Sequence, residues 1–483
     1  MKIALHTPLT IQNLAVMARG ELIQSGLSGA QMVTHICTDS REVDEHTLFC
    51  AIRGERVDGH GYMAKAGELG GWAFLCERIP DEMPAAYAAI RVPDTVDALG
   101  YMANARRTGD LNELPIVAVT GSVGKTTTKE MIYAVLSSSQ EVFKKDGNYN
   151  STIGLPLSFL EIPCTTGGAV LEMGMSGRGE ITAMTTAVCP DVAVIANVGS
   201  SHLEHLGTRE NIARAKLEIA EGLREGGVLL VNGDEPLLRA VGQDFDTEKP
   251  VIPAHVRVLG LSLAGNPNAD YTVREIRVCD GGMAFDLDTP QGTWPALWIP
   301  AVGEHLVWAA AFAAAVGQLR GISEELVKQG LTAYRPADMR QTVSSVSGIT
   351  FIKDCYNAAP ESMAAALKVL CMTPVRRRIA VLGDMKELGQ NTEALHRGVG
   401  AEAVKQGIDL LVAVGELGRF IAEGALEAGL SADSVIYVPA GDYEEAAKRL
   451  AQMLTAGDGV LFKASRAMAL EKMAEALEAH VNE

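Results

Sequence analysis

The segment from Thr120 to Thr126 reads TGSVGKT and has the composition of a loop that holds the phosphates of a nucleotide. The apolar run Ile116–Thr120 before it predicts a strand, and the run TTKEMIYAVL after it predicts a helix. Glycines let backbone N–H groups turn toward phosphate oxygens, and the helix N-terminus adds partial positive charge. Lys125 could reach the β- and γ-phosphates, and the Thr126 hydroxyl could bind Mg²⁺. Gly-Lys-Thr can occur in a loop by chance, but the flanking strand and helix favour nucleotide binding.

Acidic and histidine side chains follow two other predicted strands, whose ends would lie at the same edge of a sheet. Glu172 closes the run AVLEM before a glycine-rich turn, and the run VAVIAN leads into a loop with His202, Glu204 and His205. Each group alone would be read as a solvated strand end or surface loop. Because the carboxyl ends of parallel strands meet at one edge, and because ATP chemistry needs a carboxylate to hold metal, their common position favours a site.

The composition limits the classes of function. The net charge of −18, from 42 basic and 60 acidic residues, argues against nucleic acid or an anionic membrane as the main partner. The eight cysteines are scattered without metal-ligand spacing, and the N-terminus lacks the apolar core of a signal peptide. The longest apolar stretch, Leu306 to Val316, is too short to span a membrane and predicts a buried helix. A cytoplasmic location is therefore expected.

The chain of 483 residues is too long for one core, and three α/β domains are predicted, joined near residues 93 and 318. Residues 1–93 mix short strands with glycine-rich turns in a small α/β domain. Residues 94–317 alternate strands and helices, which predicts a central domain with a phosphate loop and a mostly parallel sheet. Residues 318–483 repeat the alternation and predict a doubly wound, Rossmann-like domain.

Short apolar runs define the strands of the two larger domains. Helices are predicted after Lys125 and around Asn211–Leu223, and residues 255–298 predict antiparallel strands inserted in or appended to the central domain. Besides Ile116–Thr120, the predicted strands of the two alternating series are Ala169–Met173, Val192–Asn197, Val228–Val231, Thr350–Asp354, Ile379–Gly383, Leu410–Gly415, Val435–Val438 and Val460–Lys463.

Several segments together resemble one family, the Mur ligases of peptidoglycan synthesis, and within it the members that add D-alanyl-D-alanine. The segments are TGSVGKTTTKEM, GNYNSTIGLPLSFL, LEMGMSGRGEI, NVGSSHLEHLGTRENIARAKLEI, DCYNAAPESM and LGDMKELG. The resemblance runs from about Thr38 to Ser465. It implies an N-terminal domain for the UDP-sugar, a central ATPase, and a C-terminal domain for the incoming amino acid or dipeptide.

The resemblance also implies the reaction. D-Ala-D-Ala would be joined to UDP-N-acetylmuramoyl-tripeptide through an acyl phosphate made with ATP. This would be the last cytoplasmic step toward the UDP-MurNAc-pentapeptide precursor. No protein nucleophile is needed, because positioning and neutralisation of charge carry such a reaction. A monomer is expected.

The catalytic residues implied by the family are Lys125, Glu172, His202 and Lys216. Thr126 and Glu172 match its Mg²⁺ ligands, and His202 matches the ligand of a second Mg²⁺. Lys216 lies in the predicted helix NIARAKLEIAEGL, where the pattern alone predicts a solvated side chain, but it matches the lysine that CO₂ converts to a carbamate. A carbamate is an anion that can orient metal ligands, which an ammonium beside Mg²⁺ cannot do.

The family also implies binding residues, which fall into three groups. The residues for ATP are Thr120, Gly121, Ser122, Val123, Gly124, Lys125, Thr126, Thr127, Arg340, Asp354, Tyr356 and Asn357. The residues for the UDP-muramoyl substrate are Thr38, Asp39, Ser40, Arg41, Asn148, Asn150 and Arg178. A late motif of the KGSR type is matched by Lys463, Ser465 and Arg466, with Ala464 in place of glycine.

Other positions depart from the expected patterns. Val119 stands where the full phosphate-loop pattern has glycine, so the loop is a compact TGxxGKT variant. In the segment expected to touch adenine, Leu306 and Ala309 replace two asparagines, and Ala359 replaces another in the Tyr-Asn-Ala-Asn-Pro pattern. We expect these changes to alter the affinity or base preference of the adenine pocket and to spare the phosphate and metal residues.

Alternative functions fit the same loop. One is a related amide ligase, either the Mur ligase that adds the third amino acid or folylpolyglutamate synthase. The former typically shows DNPR and DYAHTPD-type segments, which this chain lacks, and the latter lacks the C-terminal motifs found here. Another is a nucleotide-binding homologue without ligase activity. The intact set of Lys125, Glu172, His202 and Lys216 argues against it.

Overall fold

The computed structural model describes residues 1–54, 56–239, 252–439 and 441–482. These residues form three β-sheets in chain order, each packed against helices. The predicted α/β fold with three sheet-containing regions is therefore confirmed. Where each domain ends stays a prediction.

The first sheet is mixed and has the strand order β1-β3-β4-β5-β6-β2. Its inner strands β3 to β6 pair in parallel, and the two edge strands β1 and β2 pair antiparallel to their neighbours. The strands are β1 Lys2–Thr10, β2 Glu21–Ser25, β3 Met32–Cys37, β4 Thr47–Cys50, β5 Ala73–Cys76 and β6 Tyr87–Arg91.

The second sheet carries the phosphate loop and has the order β15-β14-β13-β12-β11-β10-β7-β9-β8. Its strands from β8 to β13 are parallel, and β7 is buried along its whole length, as its β-branched sequence and central position predict. The strands are β7 Ile116–Thr120, β8 Val142–Lys144, β9 Gly168–Glu172, β10 Val192–Ile195, β11 Val228–Asn232, β12 Arg257–Ser262, β13 Tyr271–Cys279, β14 Gly282–Thr289 and β15 Gly292–Ile299.

One prediction for this sheet is wrong in part. The segment Arg257–Ser262, expected to be antiparallel, pairs in parallel with both β11 and β13. Only β13, β14 and β15 form the expected antiparallel hairpins. The apolar run of β12 is compatible with either direction, because alternation reports burial and not the direction of the neighbouring strand.

The third sheet has the order β16-β17-β21-β18-β19-β20 and is parallel except for the edge strand β16. The five predicted strands are present within two residues of the expected bounds, and β16 was not predicted because its sequence TVSSV is polar. The strands are β16 Thr342–Val346, β17 Ile349–Lys353, β18 Arg377–Gly383, β19 Leu410–Val414, β20 Val435–Val438 and β21 Asp458–Lys463.

Helices cover both faces of the central sheet, as in a doubly wound fold. The helices are α1 Ile11–Met17, α2 Met63–Glu68, α3 Thr95–Thr108, α4 Lys125–Leu136, α5 Gly154–Leu160, α6 Glu180–Val188, α7 Leu203–Leu206, α8 Arg209–Leu217, α9 Pro236–Arg239, α10 Glu304–Leu319, α11 Glu324–Ala333, α12 Pro360–Met372, α13 Thr392–Lys405, α14 Gly418–Glu427, α15 Tyr443–Ala451 and α16 Glu471–Asn482. Helices α4, α10 and α11 pack on one face, and α5, α6 and α8 pack on the other.

The apolar stretch predicted to be a buried helix lies inside α10, whose alanine-rich middle is buried. Small side chains let this helix approach α4 and the sheet closely. Within the described ranges, none of the helices combines the length and apolar character that crossing a bilayer requires.

Candidate active site

A cavity of about 760 Å³ opens at the carboxyl ends of the central strands. The pairing of Val119 with Glu172 and of Thr120 with Ile195 brings the phosphate loop, the end of β9 and the loop after β10 to this edge. Across the cavity lie residues of the C-terminal sheet region, among them Tyr356. The cavity therefore lies between the central and C-terminal regions, at the carboxyl ends of the central strands, where ligands of open parallel sheets bind.

The phosphate loop is held by a side chain that the sequence did not single out. Asn197 Oδ1 accepts hydrogen bonds from the N–H groups of Ser122 at 3.1 Å and Val123 at 3.0 Å. Its Nδ2 donates to the carbonyl of Val123 at 2.8 Å. Gly124, the residue before α4, has a φ of 76°, a left-handed conformation that a side chain would strain. The only sequence signal for Asn197 was a polar residue at the end of an apolar run.

Lys125 folds back onto the loop it belongs to. Its Nζ donates to the carbonyls of Gly121 at 2.7 Å and Ser122 at 3.2 Å. Burial lowers the pKa of the Lys125 ammonium, and the carboxylate of Glu172 partly opposes the shift. A phosphate oxygen would be a stronger, charge-assisted partner than either carbonyl. The ammonium is thus positioned to exchange two neutral acceptors for an anionic one.

Thr126, Glu172 and Asn150 form one hydrogen-bonded group. The Thr126 hydroxyl donates to Glu172 Oε2 at 2.7 Å, and Asn150 Nδ2 donates to Glu172 Oε1 at 2.8 Å. All three residues line the cavity. Hydroxyl and carboxylate oxygens are the hard ligands that Mg²⁺ prefers, and Mg²⁺ in nucleotide sites usually takes few protein ligands. The group therefore fits a magnesium site that phosphate oxygens and water complete.

His202 lines the same cavity but faces the C-terminal region. Its Nδ1 lies 2.7 Å from Oε2 of Glu387, an ion-pair distance, although that nitrogen makes no hydrogen bond of good geometry. The contact with His202 lowers the pKa of the Glu387 carboxyl. No three His, Cys, Asp or Glu side chains meet in a ready-made metal cage among the described residues. His202 as a ligand of a second ion therefore stays a prediction.

Lys216 lies in α8 and is only 1% exposed, which contradicts the solvated position that its pattern alone predicts. Burial, with the nearby charge of Lys125, lowers the pKa of its amine well below the ordinary value. A neutral amine is the form that reacts with CO₂, so the environment of Lys216 fits the implied carbamate. Its side chain is outside the set of described residues that line the cavity.

The predicted substrate residues are spread over the chain. Asp39 accepts from both Arg41 Nε, at 2.9 Å, and its Nη2, at 2.6 Å, and this guanidinium holds the pKa of Asp39 well below its usual range. Thr38 and Ser40 flank Asp39 at the carboxyl end of β3. Asn148 and Arg178 are exposed, and only Asn150 of this group lines the cavity.

The predicted ATP residues of the C-terminal region gather on one wall. Arg340, Asp354, Tyr356 and Asn357 all line the cavity, and the Arg340 guanidinium lies 4.1 Å from the centre of the Tyr356 ring. Lys463 Nζ donates to Asp354 Oδ2 at 2.5 Å and to the Asn357 carbonyl at 3.0 Å. The phosphate-loop residues Ser122, Val123, Gly124, Lys125, Thr126 and Thr127 line the opposite wall.

The segment expected to touch adenine also reaches the cavity. Leu306 and Ala309 line it with His305 and Trp308, all on α10. Desolvation by the surrounding protein lowers the pKa of the His305 ring. Because the side chain is exposed to the cavity, solvent weakens this desolvation. The wall at this point is more apolar than two asparagines would make it.

Family models match most of the chain. A model described as "Mur ligase middle domain" matches residues 119–317, one described as "Mur ligase, glutamate ligase domain" matches 339–466, and one described as "Mur ligase family, catalytic domain" matches 32–107. The chain belongs to the Mur ligase family. The resemblance found in the sequence motifs is therefore confirmed.

Individual Mur ligases are similar over the full length. The UDP-N-acetylmuramoyl-tripeptide–D-alanyl-D-alanine ligase of Bacillus subtilis is 40% identical over 97% of this chain and 98% of its own. A crystal structure of MurF from Acinetobacter baumannii has a TM-score of 0.85 and 30% identity, covering 99% of this chain and all of that one. The MurF ligase of Thermotoga maritima, solved in complex with ADP, has a TM-score of 0.78 and 30% identity over 92% of this Mur ligase and 97% of that chain.

Proposed function

We propose that this Mur ligase joins D-alanyl-D-alanine to UDP-N-acetylmuramoyl-tripeptide with ATP, completing the pentapeptide precursor of peptidoglycan. The observation that carries the proposal is the 40% identity, over 97% of the chain, to a relative that bears the name of this activity. The grouping of Lys125, Thr126 and Glu172 around one phosphate loop supports it. Such a group suits ATP-driven transfer of a phosphoryl group.

The three regions would divide the substrates among them. The N-terminal region, predicted to span residues 1–93, would bind the UDP-sugar through the segment Thr38–Arg41. The central region would bind ATP, and the C-terminal region would bring the dipeptide. The cavity between the second and third regions supports this division, since both of its walls carry predicted ATP residues.

The chemistry consists of two displacements at substrate atoms. A carboxylate oxygen of the tripeptide attacks the γ-phosphorus, the bond to the β–γ bridging oxygen breaks, and ADP leaves. The dipeptide amine then attacks the acyl carbon, a C–N bond forms, the amine loses a proton, and inorganic phosphate leaves with the electrons of the C–O bond. Lys125 would balance charge on the γ-phosphate, and closure of the cavity would keep water from the acyl phosphate.

Magnesium would be held by Thr126 and Glu172, with Asn150 orienting the carboxylate. The ion would supply neutralisation of phosphate charge when bound. His202 would serve a second ion. In each case this chain's own residues orient the phosphates relative to the attacking carboxylate.

Lys216 would react with CO₂ to form a carbamate, releasing one proton as the N–C bond forms. Among the described residues, no hydrogen-bond partner competes for the buried amine, and the positive charge of Lys125 would stabilise the anion formed. The change from cation to anion would make the position compatible with nearby metal ions.

We further propose that the protein acts in the cytoplasm as a monomer and without nucleic acid. Its substrates are nucleotide-linked and its net charge of −18 disfavours polyanions.

The decisive experiment measures phosphate release with UDP-muramoyl-tripeptide and ATP, with and without D-Ala-D-Ala. Turnover that needs both substrates, with a pentapeptide product found by mass spectrometry, supports the proposal. Stimulation by a single amino acid instead would indicate another Mur-type or folylpolyglutamate-type ligase. Nucleotide binding without turnover under any of these conditions would indicate a non-catalytic homologue.

A further inference from the structure

The segment after β10, residues 199–206, includes the single turn of α7 and is called the loop 199–206. Two carboxylates of the C-terminal region contact this loop. Oε1 of Glu361, in the first turn of α12, accepts from the Ser200 N–H at 2.8 Å and from its hydroxyl at 2.7 Å. Farther along the loop, Glu387 lies 2.7 Å from His202. The two carboxylates thus act on the same loop from two separate segments of the C-terminal region.

The loop 199–206 and the C-terminal region approach closely because each has a glycine at the contact, Gly199 and Gly389. A Cβ at Gly199 would lie 3.0 Å from the Glu361 carboxyl carbon, so a larger residue would push the carboxylate away. A Cβ at Gly389 would lie 3.1 Å from Glu204 Cα. His202 and Glu387 both adopt left-handed backbone conformations, with φ of 66° and 63°. Non-glycine residues keep such conformations where surrounding contacts impose them.

The same loop touches the phosphate loop from its other side. The Gly199 N–H donates to the Ser122 hydroxyl at 2.9 Å, directly beside the Ser200 N–H that Glu361 binds. Two hydrogen bonds, joined by the peptide bond between residues 199 and 200, therefore link α12 to the phosphate loop. The phosphate loop keeps its own hydrogen bonds to Asn197, so loss of the Glu361 contact should move Ser200 and leave the phosphate loop in place.

We propose that Glu361 and Glu387 are positioning residues that fix the loop 199–206 when the C-terminal region closes on the central one. Closure would then set the position of Ser200 and His202 at the moment when the dipeptide reaches the acyl phosphate. The inference rests on the proposed ligase function, since it assigns the dipeptide to the closing region. Neither carboxylate would touch the reacting atoms.

Glu361 contacts Ser200 and Glu387 contacts His202, so each carboxylate can be tested by its own pair of variants. A glutamine at 361 keeps an oxygen that can accept from Ser200, whereas an alanine does not. A glutamine at 387 likewise keeps an oxygen that can face His202 Nδ1, whereas an alanine does not. Glu361→Gln should therefore restore what Glu361→Ala loses, and Glu387→Gln should restore what Glu387→Ala loses. Glu475→Gln, an exposed carboxylate on α16, is the matched control for lost charge in the same region.

The test uses the full chain and two readouts. Hydrogen exchange of the Ser200 amide should be about tenfold faster in Glu361→Ala than in wild type or Glu361→Gln, since only the alanine variant leaves the Ser200 N–H without this acceptor. In steady-state kinetics, kcat/KM for D-Ala-D-Ala should fall about tenfold in Glu361→Ala and Glu387→Ala, and less in the two glutamine variants. The Kd for ADP, measured by calorimetry, should stay within about twofold.

Two results would overturn the inference. One is unchanged exchange at Ser200 and unchanged kcat/KM in Glu361→Ala. The other is a rise in the Kd for ADP as large as the fall in kcat/KM, which would make these residues part of the nucleotide site. Failure of the proposed function looks different, because wild type itself would then form no pentapeptide. The exchange measurement remains interpretable in that case, because it needs no turnover.

Discussion

The carboxamide of Asn197 holds Val123 at both of its backbone polar groups. Its Oδ1 accepts from the Val123 N–H at 3.0 Å and its Nδ2 donates to the Val123 carbonyl at 2.8 Å. The shape of the phosphate loop therefore depends on a residue that follows the neighbouring strand β10, and not on the loop's own sequence alone. A preformed loop binds phosphate without first having to be ordered.

Replacing Asn197 by alanine should weaken nucleotide binding. The loop would lose three hydrogen bonds, each contributing about 0.5–1.5 kcal/mol, and its N–H groups would no longer be held. We expect the Kd for ADP to rise about tenfold or more and the free energy of unfolding to fall by about 1–3 kcal/mol. Calorimetry and urea unfolding measure the two. Asn112→Ala, where an exposed carboxamide bonds only to Glu113, is the control and should change neither.

The role of Asn197 shows what local sequence can and cannot predict. Strand β7 and helix α4 follow from a β-branched apolar run and a helical run around glycines, so the sequence predicts them without reference to the rest of the chain. The bond between Asn197 and Val123 joins residues 74 positions apart. It exists because β10 pairs with β7, a pairing that no local pattern specifies.

The candidate site also combines features that the sequence predicts with features that depend on tertiary packing. The sequence predicts Thr126 from the phosphate-loop motif, Glu172 from its place at a strand end, and Asn150 from the family resemblance. Their hydrogen bonds could not be predicted. Lys216 was the opposite case. Helical periodicity predicts an exposed side chain, and only tertiary packing buries it. The contact of Ser200 with Glu361, 161 positions away, depends on how two regions meet and has no counterpart in either segment's sequence.

Glu172→Gln should separate metal binding from folding. The amide keeps the shape of the carboxylate but not its charge, which is what attracts Mg²⁺. We expect the Mg²⁺ concentration for half-maximal activity to rise at least about tenfold, with kcat falling about a hundredfold, while the free energy of unfolding changes by less than about 1 kcal/mol. Excess EDTA should abolish wild-type turnover. An unchanged magnesium dependence would remove Glu172 from the metal site. Glu141→Gln, at an exposed carboxylate, is the control.

Lys216→Met should abolish activity without destabilising the fold. The buried amine is desolvated, so an apolar side chain of similar length should leave the free energy of unfolding unchanged or raise it. In protein equilibrated with ¹³C-bicarbonate, we expect a carbamate carbon signal in wild type and none in the variant. A wild-type spectrum without that signal, at full activity, would contradict the carbamate.

Lys129→Met is the matched control for a buried lysine. Lys129 is 3% exposed, but its Nζ donates to the Lys145 carbonyl at 3.0 Å and lies 3.1 Å from Oε1 of Glu130. Removing a partnered cation leaves those acceptors unsatisfied, so this variant should lose about 1–3 kcal/mol while the carbamate signal remains. The opposite effects on stability distinguish a buried amine that has no hydrogen-bond partner in the described part of the chain from a structural one.

His396 should make the fold less stable at mildly acidic pH. The side chain is fully buried, its Nε2 accepts from the Met385 N–H at 3.0 Å, and its Nδ1 therefore carries the proton donated to the Thr392 carbonyl at 2.6 Å. Burial lowers the pKa of His396 because it disfavours the charged ring. Protonation at Nε2 would also break the bond to Met385, in the LGDMKELG segment.

The sign of the pH effect follows from which state binds more protons. In the unfolded chain a histidine has a pKa of about 6.5, while in the folded protein burial lowers the pKa of His396 below that value. The unfolded state therefore takes up protons first, and stability falls as pH decreases below about 6.5. Between pH 7.5 and 5.5, wild type should lose about 1 kcal/mol more than His396→Gln, whose side chain does not titrate. Urea unfolding across this range measures the difference. His6→Gln, at an exposed histidine, should follow wild type, and parallel curves for wild type and His396→Gln would show that another group causes any acid sensitivity.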